Sequence, residues 1–443
     1  MNRKTFLLGL SNAPLLVGSL SLRAATTGEK APDAVPSAPP PPDPQAITKD
    51  VFAGQFPPRS YGSSPEEAEP KVMEVVEQVF RDEDGLLRSG VNAVTMEPIR
   101  IEEIKDRPLG FGTFAQNSSV PQEAKPVWMT YENAGQASGT YLDAMCAKAK
   151  LTGDSKAHEV ARRTVQGIRS LWENAAHNKH PLGGEGRGWF PKPYLGVQKV
   201  LQMYECSADQ YCDVTLGLHS YYYTLASQEE KRQIQEIVVS FADWWHDHDY
   251  CGVYFGQAIW WKRLPTHPMA VGYFLFLNAW ANALQPSAKF EDGFATWFKL
   301  KPVLQTPAKP IWLCMHGIAL NLAERLIVVK PEHTDVWRAC AAYQAPLLLD
   351  SVNGKAGDVE NIDGIGANYL ATAHRLLPTA GYDKRSRQCL EASLRRDHFY
   401  AIKRGKKLVD LDRRLVGDDY RDQYWCENHV HWLAGYWRNR TQV

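Results

Sequence analysis

No charge of either sign is in surplus: 50 Lys and Arg residues face 50 Asp and Glu residues, which leaves a formal charge of zero at pH 7. Without a basic excess the chain has little to gain from displacing counterions on a polyanion, so nucleic acid is not an expected partner. Cysteine is sparse, eight in 443 residues, and no two form a CxxC pair. That excludes a disulfide scaffold and gives no zinc-finger spacing. No segment after the first 25 residues is expected to span a bilayer, and convincing strand patterns are few. What remains is abundant in aromatics, with 14 Trp, 19 Tyr and 15 Phe, in a chain that is 44% hydrophobic. Such a composition builds a core and excludes general disorder. The length fits two or three domains, or one large repetitive fold.

The N-terminus carries the three parts of a secretory signal: Arg3-Lys4, an apolar run from Phe6 to Leu22, and Arg23-Ala24-Ala25 before a cut after Ala24 or Ala25. Arg3-Lys4-Thr5-Phe6-Leu7 resembles a degenerate twin-arginine signal, so either that route or the general secretory route is open. The run is interrupted by Ser11-Asn12-Ala13-Pro14 and is short for a spanning helix, so no stable membrane insertion is expected after cleavage. The expected organisation is a signal peptide over 1–25, a linker over 26–60 containing the tract APDAVPSAPPPPDPQ, and a single folded body over 61–443. The expected location is periplasmic or extracellular.

From Pro65 onward two helical patterns alternate. One is amphipathic, as in Ile234, Ile237, Val238, Phe241 and Trp245 among charged residues, and belongs on an outer layer with one wet face. The other is small and apolar nearly all round, which marks buried helices. Six inner helices are expected near 131–150, 209–226, 268–284, 312–329, 363–377 and 426–438. Five outer partners are expected near 155–176, 228–248, 289–299, 333–350 and 382–397. Short links such as Thr152-Gly153-Asp154 imply antiparallel hairpins. A polar helix near 65–82 should close the ring against the last inner helix, which otherwise exposes Trp432 and Trp437. The fold class is therefore all-α, an (α/α)6 toroid with at most a small β-hairpin, of which Leu408-Val409-Asp410-Leu411 is one arm.

In such a ring the inner helices run the same way, and their N-termini line one mouth. The mouth then collects Tyr131-Glu132-Asn133, Asp209-Gln210-Tyr211, His267, His316, Asp363 and Glu427-Asn428-His429. Aromatic and Gly-rich loops lead in, one with Arg187 and Trp189, another with Trp260 before Trp261-Lys262-Arg263. Aromatic rings stack on the C–H faces of sugars, and carboxylates, amides and Arg bind their hydroxyl and carboxylate groups, so an oligosaccharide or polysaccharide is the expected substrate. Arg187 and Lys262-Arg263 point toward an acidic sugar such as a uronate.

Glycoside hydrolysis needs a proton donor and a second carboxylate, about 5–5.5 Å apart for retention or about 6.5–9.5 Å for inversion. Asp209, Glu132 and Glu427 are the candidates. Asp209 is expected as acid, desolvated by Ala208 and Tyr211, with Glu427 or Glu132 as base, and a wide mouth favours inversion. Tyr131, Asn133, Gln210, Tyr211, Trp189, Arg187, Trp260, His267, His316, Asp363 and His429 are candidate substrate contacts. The alternative is a polysaccharide lyase drawing its base from Tyr131, Tyr211, His316, His429 or His431 with Asn133 nearby. A zinc set of Cys314, His316, Cys426 and His429 and a non-catalytic sugar-binding protein are further readings. No cofactor or metal is expected. Export also permits disulfides, with Cys206, Cys212 and Cys251 grouped in sequence.

The six-hairpin pattern, with YENAG, SADQY, NIDGIG and WCENH at successive inner-helix starts, resembles the six-hairpin glycosidase superfamily of exported carbohydrate-active enzymes, over about residues 65–440. The resemblance implies a hydrolase or a polysaccharide lyase. Unsaturated glucuronyl hydrolases of that superfamily carry catalytic Asp residues at inner-helix starts, and Asp209 in SADQY is the nearest positional equivalent.

Overall fold

The computed structural model describes residues 61–92, 96–98, 130–177, 186–193, 196–198, 206–254, 257–263, 267–305, 313–353, 363–395, 399, 401–404, 407–410 and 423–441. The expected signal peptide and linker lie outside the described residues. In chain order the elements are α1 (Pro65–Val75, continuing into a wider turn, Val76–Phe80), β1 (Gly90–Asn92), α2 (Ala134–Thr152), α3 (Ser155–Ala175), α4 (Ala208–Thr224) and α5 (Gln228–Asp247). There follow β2 (Cys251–Tyr254), β3 (Gln257–Trp260), α6 (Pro268–Leu284), α7 (Ala288–Phe298), α8 (Leu313–Val329) and α9 (Thr334–Val352). The last are α10 (Asp363–Leu376), α11 (Tyr382–Arg395), β4 (Ala401–Arg404), β5 (Lys407–Asp410), β6 (Gln423–Trp425) and α12 (Glu427–Arg438).

The inner helices α2, α4, α6, α8, α10 and α12 each pack on the next, and α12 returns to α2, so the ring is closed. Helices α3, α5, α7, α9 and α11 lie outside, each paired with the inner helix before it. Helix α1 packs on α12 and α11 as the sixth outer partner. Its Glu69 carboxylate accepts from Trp437 Nε1 at 3.0 Å and pairs with Lys148 Nζ at 3.0 Å. The chain thus forms the expected (α/α)6 toroid, with its first helix closing the ring on its last.

Local chemistry explains the two layers. Ser227 opens α5 with a capping box to Glu230, and Asp154 caps α3 by accepting from the Lys156 and Ala157 amides. The inner helices instead need small residues. A Cβ on Gly139 would stand 2.1 Å from the Asp213 carbonyl, and one on Gly217 would stand 2.6 Å from the Gly139 carbonyl. Two facing glycines therefore let the α2 and α4 backbones cross in near contact. Fully buried Trp245, Trp280, Trp297, Trp337 and Trp432 fill the space between layers. At 150–250 Å² each such rings dominate core burial.

The β content exceeds the single hairpin expected. Strands β4 and β5 do form one, taking in Leu408 and Val409, but it extends to a four-stranded sheet in the order β1-β6-β4-β5. Strands β1 and β6 are three residues each and pair Gly90 with Trp425, too short and too distant in sequence to show alternation. The aromatic stretch before Trp261 is a second hairpin, β2–β3, with Cys251 opposite Trp260. No two of the eight cysteines are joined by a disulfide in this structure. Among the described residues no helix is long and apolar enough to cross a membrane.

Candidate functional site

Helices α12, α2 and α4 are neighbours in the ring, and their starts bring three of the expected groups together. Gln210 Nε2 donates to Asn133 Oδ1 at 3.2 Å, and Asn133 Nδ2 donates to Glu427 Oε1. The other end of the Gln210 amide accepts from the Gln136 backbone N–H at 3.0 Å. This amide chain spans three helix starts at the mouth, with Glu132, Asn133, Asp209 and Glu427 all partly exposed. Asp209 Oδ1 accepts from Ser207 Oγ and from the Gln210 N–H at 3.0 Å. Glu132 Oε1 lies 3.9 Å from Nζ of Lys192, whose side chain is otherwise buried. His267, before α6, has no hydrogen-bond partner on Nδ1. Burial pushes its imidazole below the ordinary value, opposed by the nearby Asp209 charge.

Ser89 holds this rim together. Its hydroxyl donates to the Thr130 carbonyl at 2.9 Å and accepts from the Asn133 N–H at 3.1 Å, while its carbonyl takes the Cys426 N–H at 3.0 Å. One buried serine therefore fixes the starts of α2 and α12 to each other.

Other expected contacts lie elsewhere. Tyr211 is fully buried: its hydroxyl donates to the Gly188 carbonyl at 2.9 Å, accepts from the Phe190 N–H at 2.5 Å, and its ring packs on Phe241 and Trp245. It therefore does not face the mouth. Trp189 is buried against Trp244. Arg187 sits over Trp172 on the outer layer, 3.9 Å from Glu236 of α5. Trp260 is covered by the Arg263 guanidinium. Tyr131 donates to Asp82 Oδ2 at 3.1 Å, and burial pushes its phenol well up. His316 is buried and donates from Nδ1 to Gln344 Oε1 at 2.6 Å. Asp363 is buried in the first turn of α10. His429 is caged by Tyr61, Phe80, Phe399 and Tyr424, with Tyr424 Oη 2.9 Å from Nε2. His431 accepts from Asn368 Nδ2 at 2.9 Å.

Tyr131, Tyr211, His316, His429 and His431 thus sit in buried hydrogen bonds or ring contacts. These placements separate His316 from His429, and among the described residues no three His, Cys, Asp or Glu side chains converge on a metal position.

Two polar features inside the ring were not expected. One turn below Asp209, Asp213 is 3% exposed, takes a hydrogen bond from the Gln136 side chain, and has no partner on Oδ2. Burial, with the Asp209 charge beside it, pushes its carboxyl far above the ordinary range. The spacing of the two acids, four residues apart in SADQYCD, was visible in sequence; the dryness of the second was not. Toward the opposite end, Asp143 accepts from Arg325 at 2.6 Å, from Arg438 at 3.0 Å and from Ser220. Arg375 pairs with Glu324, and Arg438 also donates to Asn321 and Thr372. Burial raises the Asp143 carboxyl, but the Arg438 and Arg325 guanidiniums outweigh it and hold the group well below the usual range.

No protein-family model and no curated protein matches the chain. Among solved structures it is similar to one described as a sugar epimerase from a ruminal bacterium, at 11% identity and a TM-score of 0.45, over 84% of this chain and 96% of that one.

Proposed function

We propose that the protein is an exported carbohydrate-active enzyme of the six-hairpin glycosidase type, a glycoside hydrolase whose substrate enters the mouth formed by the inner-helix starts. One observation carries the reading. Adjacent helix starts present Glu132, Asp209 and Glu427 around an amide chain from Gln210 through Asn133 to Glu427, in a rim that is partly open to solvent. Carboxylates supply the acid and base that cleavage of a sugar acetal needs, and the amides offer donors and acceptors to hydroxyl groups. The lyase alternative is weaker because its candidate bases are held in buried hydrogen bonds or aromatic cages. Lys192 beside Glu132 is the cation best placed to meet an acidic sugar, in place of the outward-lying Arg187. The N-terminal signal over 1–25 and the proline-rich linker over 26–60 fit delivery to the periplasm or beyond, with 61–443 as the catalytic body.

The test is product analysis after incubation with a panel of neutral and uronate-containing oligosaccharides. New reducing ends without unsaturated uronate absorbance support hydrolysis. The appearance of that absorbance would overturn it in favour of elimination.

A further inference from the structure

We propose that Asp213, one helical turn inward from Asp209, is the proton donor of the site and delivers its proton to the glycosidic oxygen while Asp209 attacks the anomeric carbon. The inference rests on the hydrolase reading and adds a catalytic carboxyl to it.

The geometry starts from the helix. Positions four apart share one face of a helix, with Cβ atoms about 5–6 Å apart, so both carboxyls stand on the same side of α4. Their surroundings differ sharply. Asp209 is at the partly open rim and accepts two hydrogen bonds on Oδ1, from Ser207 and the Gln210 N–H. Asp213 lies within the bore with Oδ2 unpartnered, and the Tyr369 hydroxyl on α10, on the far side of the ring, is likewise buried without a partner. The groups whose fields reach Asp213 are Asp209 and Cys212 on α4, Asp143 on α2, Tyr369 on α10 and Arg438 on α12, with Gln136 of α2 as a neutral donor. Arg438 is itself bonded to Asp143, so its charge is largely answered there. A buried carboxyl raised by desolvation, one turn from a carboxylate at an open rim, is a pair in which the buried member serves as the acid. This reverses the expectation that Asp209 is the acid, and it favours retention over inversion.

The steps balance. In the first, an Asp209 oxygen bonds to the anomeric carbon, the bond to the leaving oxygen breaks with its electron pair, and the Asp213 proton goes to that oxygen. In the second, a water oxygen bonds to the anomeric carbon, the ester to Asp209 breaks, and the water proton returns to Asp213.

Three measurements decide it. Infrared spectra of the full chain at pH 7, with carboxyl-labelled aspartate, should show a protonated carboxyl band that is absent in Asp213→Asn; no such band in the wild type overturns the proposal. On 4-nitrophenyl and methyl glycosides of the sugar released from the panel, Asp213→Asn should lose at least about a hundredfold in kcat/KM on the methyl glycoside but less than about tenfold in kcat/KM on the activated one, because in the first step only the poor leaving group needs the proton. Equal loss on both overturns the acid assignment and leaves the hydrolase reading standing. The first-formed sugar, read by NMR, should keep its anomeric configuration, and inversion overturns the pairing with Asp209 even if the Asn variant fails to fold. Failure of the wild type to cleave any glycoside overturns the hydrolase reading and this assignment with it.

Discussion

The two ends of the inner ring are both polar, yet they are polar in different ways. Toward the helix C-termini, Asp143, Arg325, Arg438, Glu324 and Arg375 pair with one another, with Ser220, Asn321 and Thr372 adding bonds, and only Arg325 Nε of these groups is buried without a partner. Side chains from α2, α4, α8, α10 and α12 meet there, so five of the six inner helices are tied by one network. At the N-terminal end the amide chain from Gln210 to Glu427 also joins helices, but partly exposed carboxylates stand around it and Asp213 Oδ2 below it is unmatched. A buried polar group that is fully bonded stabilises or specifies the fold, whereas one with open valences in a concave mouth is available to a ligand. The contrast separates structure from function more sharply than burial alone.

The largest effect should come from breaking the closed end. Asp143→Ala leaves the Arg325 and Arg438 guanidiniums without their shared carboxylate in a buried site. Loss of one partner there costs about 3–5 kcal/mol. Urea denaturation should show a fall of that size, and a variant as stable as the wild type would mean that water reaches this end and the network is not dry.

The same two regions should respond to pH with opposite sign. The Asp143 carboxyl is held below its unfolded value, so its contribution is present above about pH 3.9 and lost as pH falls further. The Asp213 carboxyl is raised, so its contribution is present below about pH 3.9 and lost as pH rises through its folded value. Asp143→Asn should therefore cost most at neutral pH and least in acid. Asp213→Asn should gain on the wild type as pH rises, because the amide never has to lose a proton. Denaturant midpoints across pH 3 to 8 check both slopes, and parallel slopes would erase the distinction between the two ends. At the mouth, Asp209→Asn should reduce turnover at least about a hundredfold while the melting temperature stays near that of the wild type, since the replacement is nearly isosteric. Near-normal turnover would reduce Asp209 to a first-turn helix acid.

Much of the architecture was legible because its signals are local. The all-round apolar pattern from Pro268 to Leu284 and the amphipathic one from Gln228 to Asp247 each announce their layer, and six such alternations give the ring. Closure by α1 followed from the missing partner of Trp432 and Trp437. The site was less legible. An aromatic residue near a helix start serves packing as readily as sugar stacking, and Tyr211, Trp189 and His429 went into packing. The amide chain links positions 77 and 294 apart in sequence, a relation that no periodicity reveals. Lys192 and Ser89 stand in segments without pattern, and their roles come only from where the ring closes.

Ser89 offers the finest test of the comparison, because it belongs to the mouth's frame and not to its chemistry. Ser89→Ala removes a hydroxyl that bonds the Thr130 carbonyl and the Asn133 N–H, while the backbone bond from Ser89 N to the same carbonyl, 2.7 Å, is kept. The expected loss of stability is therefore small, about 1 kcal/mol for one hydrogen bond. Asn133, however, is the middle link between Gln210 and Glu427, and freeing its N–H lets that link drift. Small misplacements of a binding group cost far more in rate than in stability, so turnover should fall by about tenfold or more. Restoring a hydroxyl with Ser89→Thr should recover part of it. Equal, minor losses in both measurements would mean that the amide chain holds its geometry without the rim, and that the mouth is as self-sufficient as the closed end.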